Sequence, residues 1–238
     1  MFPAGGHGRE RDPESRRLRP VSNRRAGERG SAAAGPAQPR TPRSPGARQR
    51  REEILRIAME TFAARGYNNA SLAEIADRAG LTQAGVLHYF RSKELLLTSV
   101  LELRDQTDIE QLGPDRPRGL AFLRHLIDTS RRNAEREGIV RLYTVLSAES
   151  VTENHPAQEY FRDRYTGLRA FVVDALREAA ELGEAREDLD VENVANAIIA
   201  VMDGLQVQWL LSPESVDMAA STERVVSSLL ASIAPAKS

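Results

Sequence analysis

Apolar side chains recur at three- and four-residue intervals along most of the chain from position 48 onward, which is the repeat of an amphipathic α-helix. Glycines, prolines and short polar runs separate one apolar stripe from the next. No segment shows sustained strict alternation, so the pattern predicts an all-α fold without a sheet. The predicted helices cover residues 48–66, a stretch that begins at Ser71, 82–90, 93–108, 120–135, a stretch that begins after Gly138, 156–183, 191–211, and a last helix that restarts at SPESVDM and carries an apolar stripe from Val225 to Ile233.

The second and third predicted helices have the spacing of a helix-turn-helix. Ser71 is placed to cap the second helix and Thr82 to cap the third, since both side chains can accept a hydrogen bond from a backbone N–H group at a helix start. Ala76 is small enough to let two helices cross closely, and Gly80 tolerates the positive φ of a tight turn. The expected shared core of this unit consists of Ile75, Ala79, Leu81, Val86 and Phe90.

Charge is distributed unevenly along the chain. Residues 1–47 carry ten Arg/Lys against four Asp/Glu and few large apolar side chains, so we expect a disordered basic tail that cannot offset its ordering entropy by burial. This tail would either strengthen DNA binding through phosphate contacts or have no role. Residues 48–94 have a net charge of +2 and residues 95–238 a net charge of −9. A basic N-terminal part suits binding to phosphates. The acidic C-terminal part could avoid phosphates or could simply have a solvated charged surface.

Several classes of protein find no support in the sequence. No stretch of about 18 apolar residues is without a charge, which argues against a membrane span. The N-terminus lacks the apolar segment of a secretory signal and the chain has no cysteine, so we expect a cytoplasmic protein without disulfides. The four histidines are scattered, and no phosphate-binding loop or nucleophile elbow is present. We therefore expect no enzymatic activity, no metal and no other cofactor.

The run from Arg51 to Leu97, REEILRIAMETFAARGYNNASLAEIADRAGLTQAGVLHYFRSKELLL, resembles the DNA-binding region of the tetracycline-repressor (TetR) family of bacterial transcription regulators. Three stretches carry the resemblance jointly, FAARGY, SLAEIADRAGL and HYFRSKELL, within about one-fifth of the chain. The resemblance implies a three-helix helix-turn-helix DNA-binding domain over residues 48–94, whose third helix enters the major groove of double-stranded DNA. It also implies a C-terminal helical ligand-binding and dimerisation domain over residues 95–238.

The resemblance also assigns individual side chains to DNA. Gln83 can form paired hydrogen bonds to a base edge, most naturally adenine. Tyr89 and Lys93 suit phosphates, which fix position without carrying sequence information. The expected DNA-binding residues are Arg48, Ser71, Thr82, Gln83, Gly85, His88, Tyr89 and Lys93.

Two positions of the predicted DNA-contacting helix, 85 and 87, depart from the pattern of the family. Gly85 offers a base edge only its backbone, and Leu87 cannot donate a hydrogen bond to a phosphate. The operator sequence therefore cannot be copied from better-known relatives. Tyr89 could instead pack into the small core, and His88 could be a solvated surface residue.

The body is expected to bind a small-molecule inducer and to pair two copies of the chain. The apolar positions of 191–211 occupy more than one face, so this helix should pack against its own core and against another surface. The resemblance implies a homodimer through the last two helices, with two DNA readers about one helical turn of DNA (~34 Å) apart. The candidate ligand-binding residues, whose types are also common in plain cores, are Phe122, Leu126, Tyr143, Leu146, Phe161, Tyr165, Met202 and Trp209.

The sequence thus predicts a ligand-responsive DNA-binding transcriptional regulator, a repressor that a small molecule releases from a palindromic operator. Two alternatives stay open. An architectural DNA-binding dimer without an inducer would coat DNA broadly, whereas a helical protein-interaction module that has lost DNA binding would not bind the promoter beside its own gene.

Overall fold

The computed structural model describes residues 45–112 and 117–235, and these form helices and connecting turns without a strand. The all-α prediction is confirmed. The predicted basic tail lies outside the described residues up to position 44, and its last three residues, 45–47, are helical. Of the loop predicted over 112–119, residues 113–116 lie outside the described ranges. The helices in the described ranges are α1 (Pro45–Asn69), α2 (Leu72–Arg78), α3 (Gln83–Tyr89), α4 (Lys93–Leu112), α5 (Gly119–Ala134), α6 (Glu137–Glu149), α7 (Gln158–Glu181), α8 (Val191–Leu211) and α9 (Met218–Ser232).

Gly66 interrupts helix α1 at the position where the sequence predicted its end. Its φ of 71° lies in the left-handed region, which side chains other than that of glycine rarely adopt. A Cβ atom at this position would also collide with the carboxylate of Glu149. The left-handed backbone therefore favours a glycine here, and the Glu149 carboxylate occupies the space that a Cβ atom would need.

Helices α2 and α3 form the predicted helix-turn-helix. The Ser71 hydroxyl accepts a hydrogen bond from the Glu74 N–H at 3.0 Å, and the Thr82 hydroxyl accepts one from the Gly85 N–H at 3.1 Å. Gly80 lies in the turn between them with a φ of 62°. All members of the predicted shared core except the half-buried Leu81 are buried, namely Ile75, Ala79, Val86 and Phe90.

The DNA-binding helices share one hydrophobic core with α4 and α6. Phe62 of α1, Leu97 and Leu101 of α4, and Leu142 and Leu146 of α6 are almost fully buried in this cluster. Full burial of a side chain of this size stabilises the fold by about 1.5–3 kcal/mol. The packing places α6, a helix of the body, directly against α1.

A second hydrophobic core holds the remainder of the body together. It joins α5, α7, α8 and α9 through fully buried side chains such as Leu123, Leu176, Ile198 and Val226. Helix α5 lies against α7 and α9, and α8 lies against α7 and α9. The two clusters leave a cavity between them.

Helix α7 begins two residues later than the sequence predicted. Pro156 was expected at the first helical position, but the helix starts at Gln158. The buried His155 accounts for the difference, because its Nδ1 accepts a hydrogen bond from the Ala157 N–H at 3.2 Å and holds a turn before the helix.

Helix α8 is the single helix in the described ranges that is long and apolar enough to cross a membrane. The prediction that no apolar stretch of about 18 residues is free of charge holds for α8, because the helix contains Glu192 and Asp203. The helix packs on α7 and α9 through buried side chains such as Ala195 and Ile198.

Candidate DNA-binding surface and ligand cavity

Helix α3 is anchored by one buried side chain and exposes its polar edge. Val86 is fully buried, whereas Gln83 near the start and His88 near the end are exposed. A short capped helix with an exposed polar edge has the dimensions that a DNA major groove accepts. Of the predicted DNA-binding residues, Arg48, Ser71, Thr82, Gln83 and His88 are exposed, and Gly85, Tyr89 and Lys93 are half-buried.

Gly85 is not required by the fold itself. A Cβ atom there would lie 3.4 Å from the Thr82 hydroxyl oxygen and 3.5 Å from Cβ of Leu81, which are ordinary contact distances. Glycine inside a helix nevertheless costs about 1 kcal/mol relative to alanine. No contact within the described chain offsets this cost.

Lys93 and Tyr89 are both held by neighbouring aromatic rings. The Lys93 ammonium lies 4.3 Å from the centre of the Tyr67 ring, and the Tyr67 hydroxyl donates to Glu94 at 3.0 Å. Burial lowers the pKa of Lys93, and the carboxylate of Glu94 opposes that shift. Tyr89 packs against the small core, and its ring meets His88 edge-on with centroids 5.6 Å apart.

A cavity of about 790 Å³ lies among α4, α5, α6, α7 and α8. Its lining is mainly apolar, as is usual for small-molecule sites, and it includes the exposed side chains of Val151 and Val207, where it opens to solvent. Six of the eight predicted ligand-binding residues line it, namely Phe122, Leu126, Tyr143, Phe161, Tyr165 and Met202.

The other two predicted ligand-binding residues lie outside the lining. Leu146 is fully buried on the face of α6 that packs against α1, one turn beyond Leu142. Trp209 follows Val207, the last residue of α8 that lines the cavity, and is half-buried. Both share a helical stripe with cavity residues, but the stripe extends beyond the cavity.

A buried polar cluster occupies one wall of the cavity, centred on Asp105. Arg164 donates to its Oδ1 at 2.7 Å, and the Tyr160 hydroxyl donates to its Oδ2 at 2.7 Å. The Tyr143 hydroxyl lies 2.6 Å from that of Tyr160 and 3.1 Å from Oδ1 of Asp105. Burial raises the pKa of both tyrosines, so both phenols are neutral near pH 7.

Arg104 adds a second guanidinium to this wall. It is 8% exposed and lies over the Tyr143 ring at 4.7 Å, while Arg164 lies over the same ring at 4.6 Å. Burial, together with the positive charges of Arg164 and Arg136, lowers the pKa of Arg104 to about 10. The side chain therefore stays charged at neutral pH in a region that is already positive.

Asp203 brings a carboxyl group from α8 to the cavity. Its Oδ2 accepts a hydrogen bond from the Tyr165 hydroxyl at 2.8 Å. Burial raises the pKa of Asp203, and the Tyr165 hydrogen bond and the charge of Arg164 oppose this shift.

No group of three or more His, Asp or Glu side chains in the described ranges is placed to hold a metal ion.

Glu149, the last residue of α6, connects the cavity wall to the DNA-binding helices. Its Oε2 accepts a hydrogen bond from the Tyr67 N–H at 2.6 Å and lies 3.6 Å from Nε2 of His155. The rings of His155 and Tyr67 meet edge-on, and burial lowers the pKa of His155. Ala148 and Val151, on either side of Glu149 in the chain, line the cavity.

Sequence reasoning missed the charged side chains of the cavity and the Glu149 contact. One signal was available, because Arg104 continues the inward stripe of Leu97 and Leu101 at helical spacing and arginine is rarely buried. The Glu149–Tyr67 bond joins residues 82 positions apart, and no local pattern encodes it.

Two family models match the chain. The model described as "Bacterial regulatory proteins, tetR family" matches residues 54–100, and "BetI-type transcriptional repressor, C-terminal" matches residues 116–235, about half of the chain. The chain belongs to the TetR family of bacterial transcription regulators. Regulators of this family bind DNA, dimerise and bind small-molecule ligands, and the chain is a DNA-binding transcriptional repressor.

Individual relatives agree with this assignment. The repressor is 32% identical over 151 residues to the transcriptional repressor KstR2 of Mycolicibacterium smegmatis, covering 61% of this chain and 72% of that protein. It is 27% identical over 192 residues to the regulator TtgR of Pseudomonas putida, covering 76% of this chain and 89% of that protein. These relatives are transcription regulators, a class that is not enzymatic.

Solved structures show the same fold at lower identity. The complex of SmeT with triclosan has a TM-score of 0.65 and 22% identity, covering 79% of this chain and 93% of that one. The regulator FadR of Bacillus subtilis in complex with stearoyl-CoA also has a TM-score of 0.65 and 22% identity, covering 76% of this chain and 98% of that one.

Proposed function

We propose that this cytoplasmic repressor binds a palindromic operator as a homodimer and releases it when a small molecule enters the cavity. The observation that supports this most is the position of α6. Residues along α6 line the cavity, and its last residue, Glu149, accepts a hydrogen bond from the Tyr67 backbone beside the DNA-binding helices. One helix therefore contacts both sites.

The ligand acts by moving α6. A molecule that separates α6 from α7 and α8 displaces Glu149, and with it Tyr67 at the end of α1. The shift extends to the start of α4, because Lys93 lies on the Tyr67 ring. DNA binding weakens because the ligand favours a conformation in which the separation of the two DNA-binding domains no longer matches the two half-sites. The size of the effect is limited by the difference between the ligand's affinities for the two conformations.

The second copy of the chain covers α8 and α9. On α8 the buried residues are Ala195, Ile198 and Ile199, all in its first half. In the second half Val207, at the cavity opening, is 43% exposed and Leu211, one helical turn further, is 78% exposed. Large apolar side chains exposed on a helix that is otherwise rich in apolar residues suit an interaction site. We assign Trp209, which lies outside the cavity, to this interface as well.

In the proposed complex α3 enters the major groove. Gln83 reads a base edge, and Thr82, Gly85 and His88 face the groove beside it. Phosphates are contacted by the remaining predicted residues, which are Arg48, Ser71, Tyr89 and Lys93. Because Lys93 is already held on the Tyr67 ring, it loses little side-chain entropy when it meets a phosphate.

Nuclease protection mapping on the DNA that flanks the gene of this protein tests the proposal. A repressor of this kind protects one palindromic site whose half-sites lie about one helical turn apart. A screen of small molecules on the same DNA should then find compounds that abolish the protection. Broad protection would indicate an architectural protein, and absence of protection would indicate that the reader no longer binds this DNA.

A further inference from the structure

The lining of the cavity carries more positively charged side chains than negatively charged ones. Three aspartates line the cavity. Asp163 is exposed, so solvent screens its charge, whereas Asp105 is paired with Arg164 at 2.7 Å and Asp203 accepts a hydrogen bond from Tyr165. The arginines in the described lining outnumber these aspartates by one and are Arg104, Arg132, Arg136 and Arg164.

Two guanidinium groups lie on one wall of the cavity, and a third lines the cavity at the start of α6. Arg104 and Arg164 lie over the same Tyr143 ring, at 4.7 and 4.6 Å from its centre. Arg136 immediately precedes α6 and is close enough for its charge to act on Arg104. The first turn of α6 also lines the cavity, and the partial positive charge of a helix N-terminus adds to the positive potential there.

The rest of the lining is mainly apolar. Side chains from α5, α7 and α8 form it, including Phe122, Leu126, Phe171, Ile199 and Met202. A ligand that fills the cavity therefore needs an apolar body and a polar group at one end.

We propose that the cavity binds an amphipathic small molecule with an anionic head group, a carboxylate or a phosphate, held by Arg104, Arg136 and Arg164. Planar guanidinium groups match both anions through paired, charge-assisted hydrogen bonds. Arg164 is already paired with Asp105, so an anion at this place mainly offsets the repulsion that Arg104 meets from Arg136 and Arg164. The inference rests on the proposed function, since it names the chemistry of the ligand that acts in the same cavity.

Asp203 is the group that would favour a cationic ligand instead. Its carboxylate already accepts a hydrogen bond from Tyr165, and the positive charge of Arg164 acts on it. Asp105 is likewise engaged by Arg164, and the four arginines of the lining outnumber its three aspartates, so the lining favours an anion over a cation. Asp203 suits a hydroxyl or amide group along the body of the ligand.

Calorimetric titration of the full-length protein with four ten-carbon probes tests the inference. The probes are decanoate, decyl phosphate, decanol and decyltrimethylammonium, all below micelle formation and at equal ionic strength. We expect both anions to bind at least about tenfold more tightly than decanol, and the cation to bind most weakly. The ratio between decanoate and decyl phosphate distinguishes a carboxylate from a phosphate ligand. Anions that bind no better than decanol, or not at all, would overturn the assignment.

A matched pair of variants locates the head group. Arg136→Gln removes a half-buried guanidinium before α6, and Arg141→Gln removes an exposed one on α6 that does not line the cavity. Arg136→Gln should weaken both anions by about tenfold and leave decanol unchanged, whereas Arg141→Gln should change none of the probes. Equal weakening of decanol, or no weakening of the anions, would contradict the assignment to this wall.

Operator release in the same samples separates the two proposals. Anions that bind to the cavity but leave the operator bound would contradict the proposed function and preserve the head-group assignment. Release by decanol or by the cation, with weaker binding of the anions, would preserve the proposed function and overturn the head-group assignment.

Discussion

Gln83 is the side chain on which base reading should depend. It is exposed at the start of α3, immediately after the cap that Thr82 supplies. Gln83→Ala should cost ~1–3 kcal/mol of operator binding, concentrated at one base pair of each half-site. Binding to operators with single base changes measures this directly.

Lys93→Ala is the control, because a lysine that meets a phosphate has no base preference. It should weaken binding to every sequence and lower the slope of log affinity against log salt by ~1 for each phosphate that the variant no longer neutralises. If both variants keep the affinity and base preference of the wild type, the reading surface lies elsewhere on the protein.

A substitution of Gly85 should be tolerated by the fold but should impair DNA binding. Gly85→Ala should raise the free energy of unfolding by up to ~1 kcal/mol, because the added methyl group would make only ordinary contacts. It should weaken operator binding, because the methyl group fills the space through which the backbone approaches a base edge. Thermal unfolding and operator titration measure the two effects. If the variant is more stable and still binds the operator tightly, a DNA contact does not explain the glycine at position 85.

At the scale of single residues, the sequence was informative where partners are close in the chain. The caps at Ser71 and Thr82 each use an N–H group three residues away, so spacing alone predicts them. The cavity cluster joins Arg104 and Asp105 of α4, Tyr143 of α6 and Arg164 of α7, and only the packing of three helices brings these together. Leu146 lies outside the cavity lining for the same reason, because periodicity indicates that a side chain is buried but not which neighbour it meets.

At the scale of elements, α6 is the connection between the ligand site and the reader. Glu149→Ala removes the acceptor of the Tyr67 N–H, so it should lower the free energy of unfolding by about 1–3 kcal/mol. It should also reduce the effect of a cavity ligand on operator binding, because α6 and α1 would then move less as one unit. Chemical denaturation and operator titration with and without ligand measure both.

Glu137→Ala is the matched control on the same helix. Glu137 forms only an exposed ion pair with Arg141, so its loss should change stability by less than about 0.5 kcal/mol and leave the ligand effect intact. A Glu149 variant that behaves like this control would exclude α6 as the connection.

The helix ranges themselves were largely predictable, because the helical repeat and the glycine stops are local. Gly66 and Gly80 adopt the positive φ values that their positions in the pattern indicated. The start of α7 was not predictable from local spacing. His155 is buried, and its ring fixes the turn that precedes the helix.

At the scale of the whole molecule, the account requires a dimer. Leu211→Glu places a carboxylate in the proposed apolar interface, whose desolvation costs several kcal/mol in each copy. We expect sedimentation to show a monomer at micromolar concentration and the variant to lose tight operator binding. Leu182→Glu, at a 56% exposed leucine after α7, is the control and should remain dimeric. A dimeric Leu211→Glu variant would place the interface elsewhere.

The central claim is that an occupied cavity and a bound operator oppose each other. The most direct measurement is the dissociation constant of the operator, by fluorescence anisotropy, with and without a saturating concentration of the compound that gives the largest thermal shift. The account predicts that the compound raises this constant by tenfold or more, and that the operator weakens binding of the compound by the same factor. An operator affinity that stays unchanged while the cavity is saturated would contradict it.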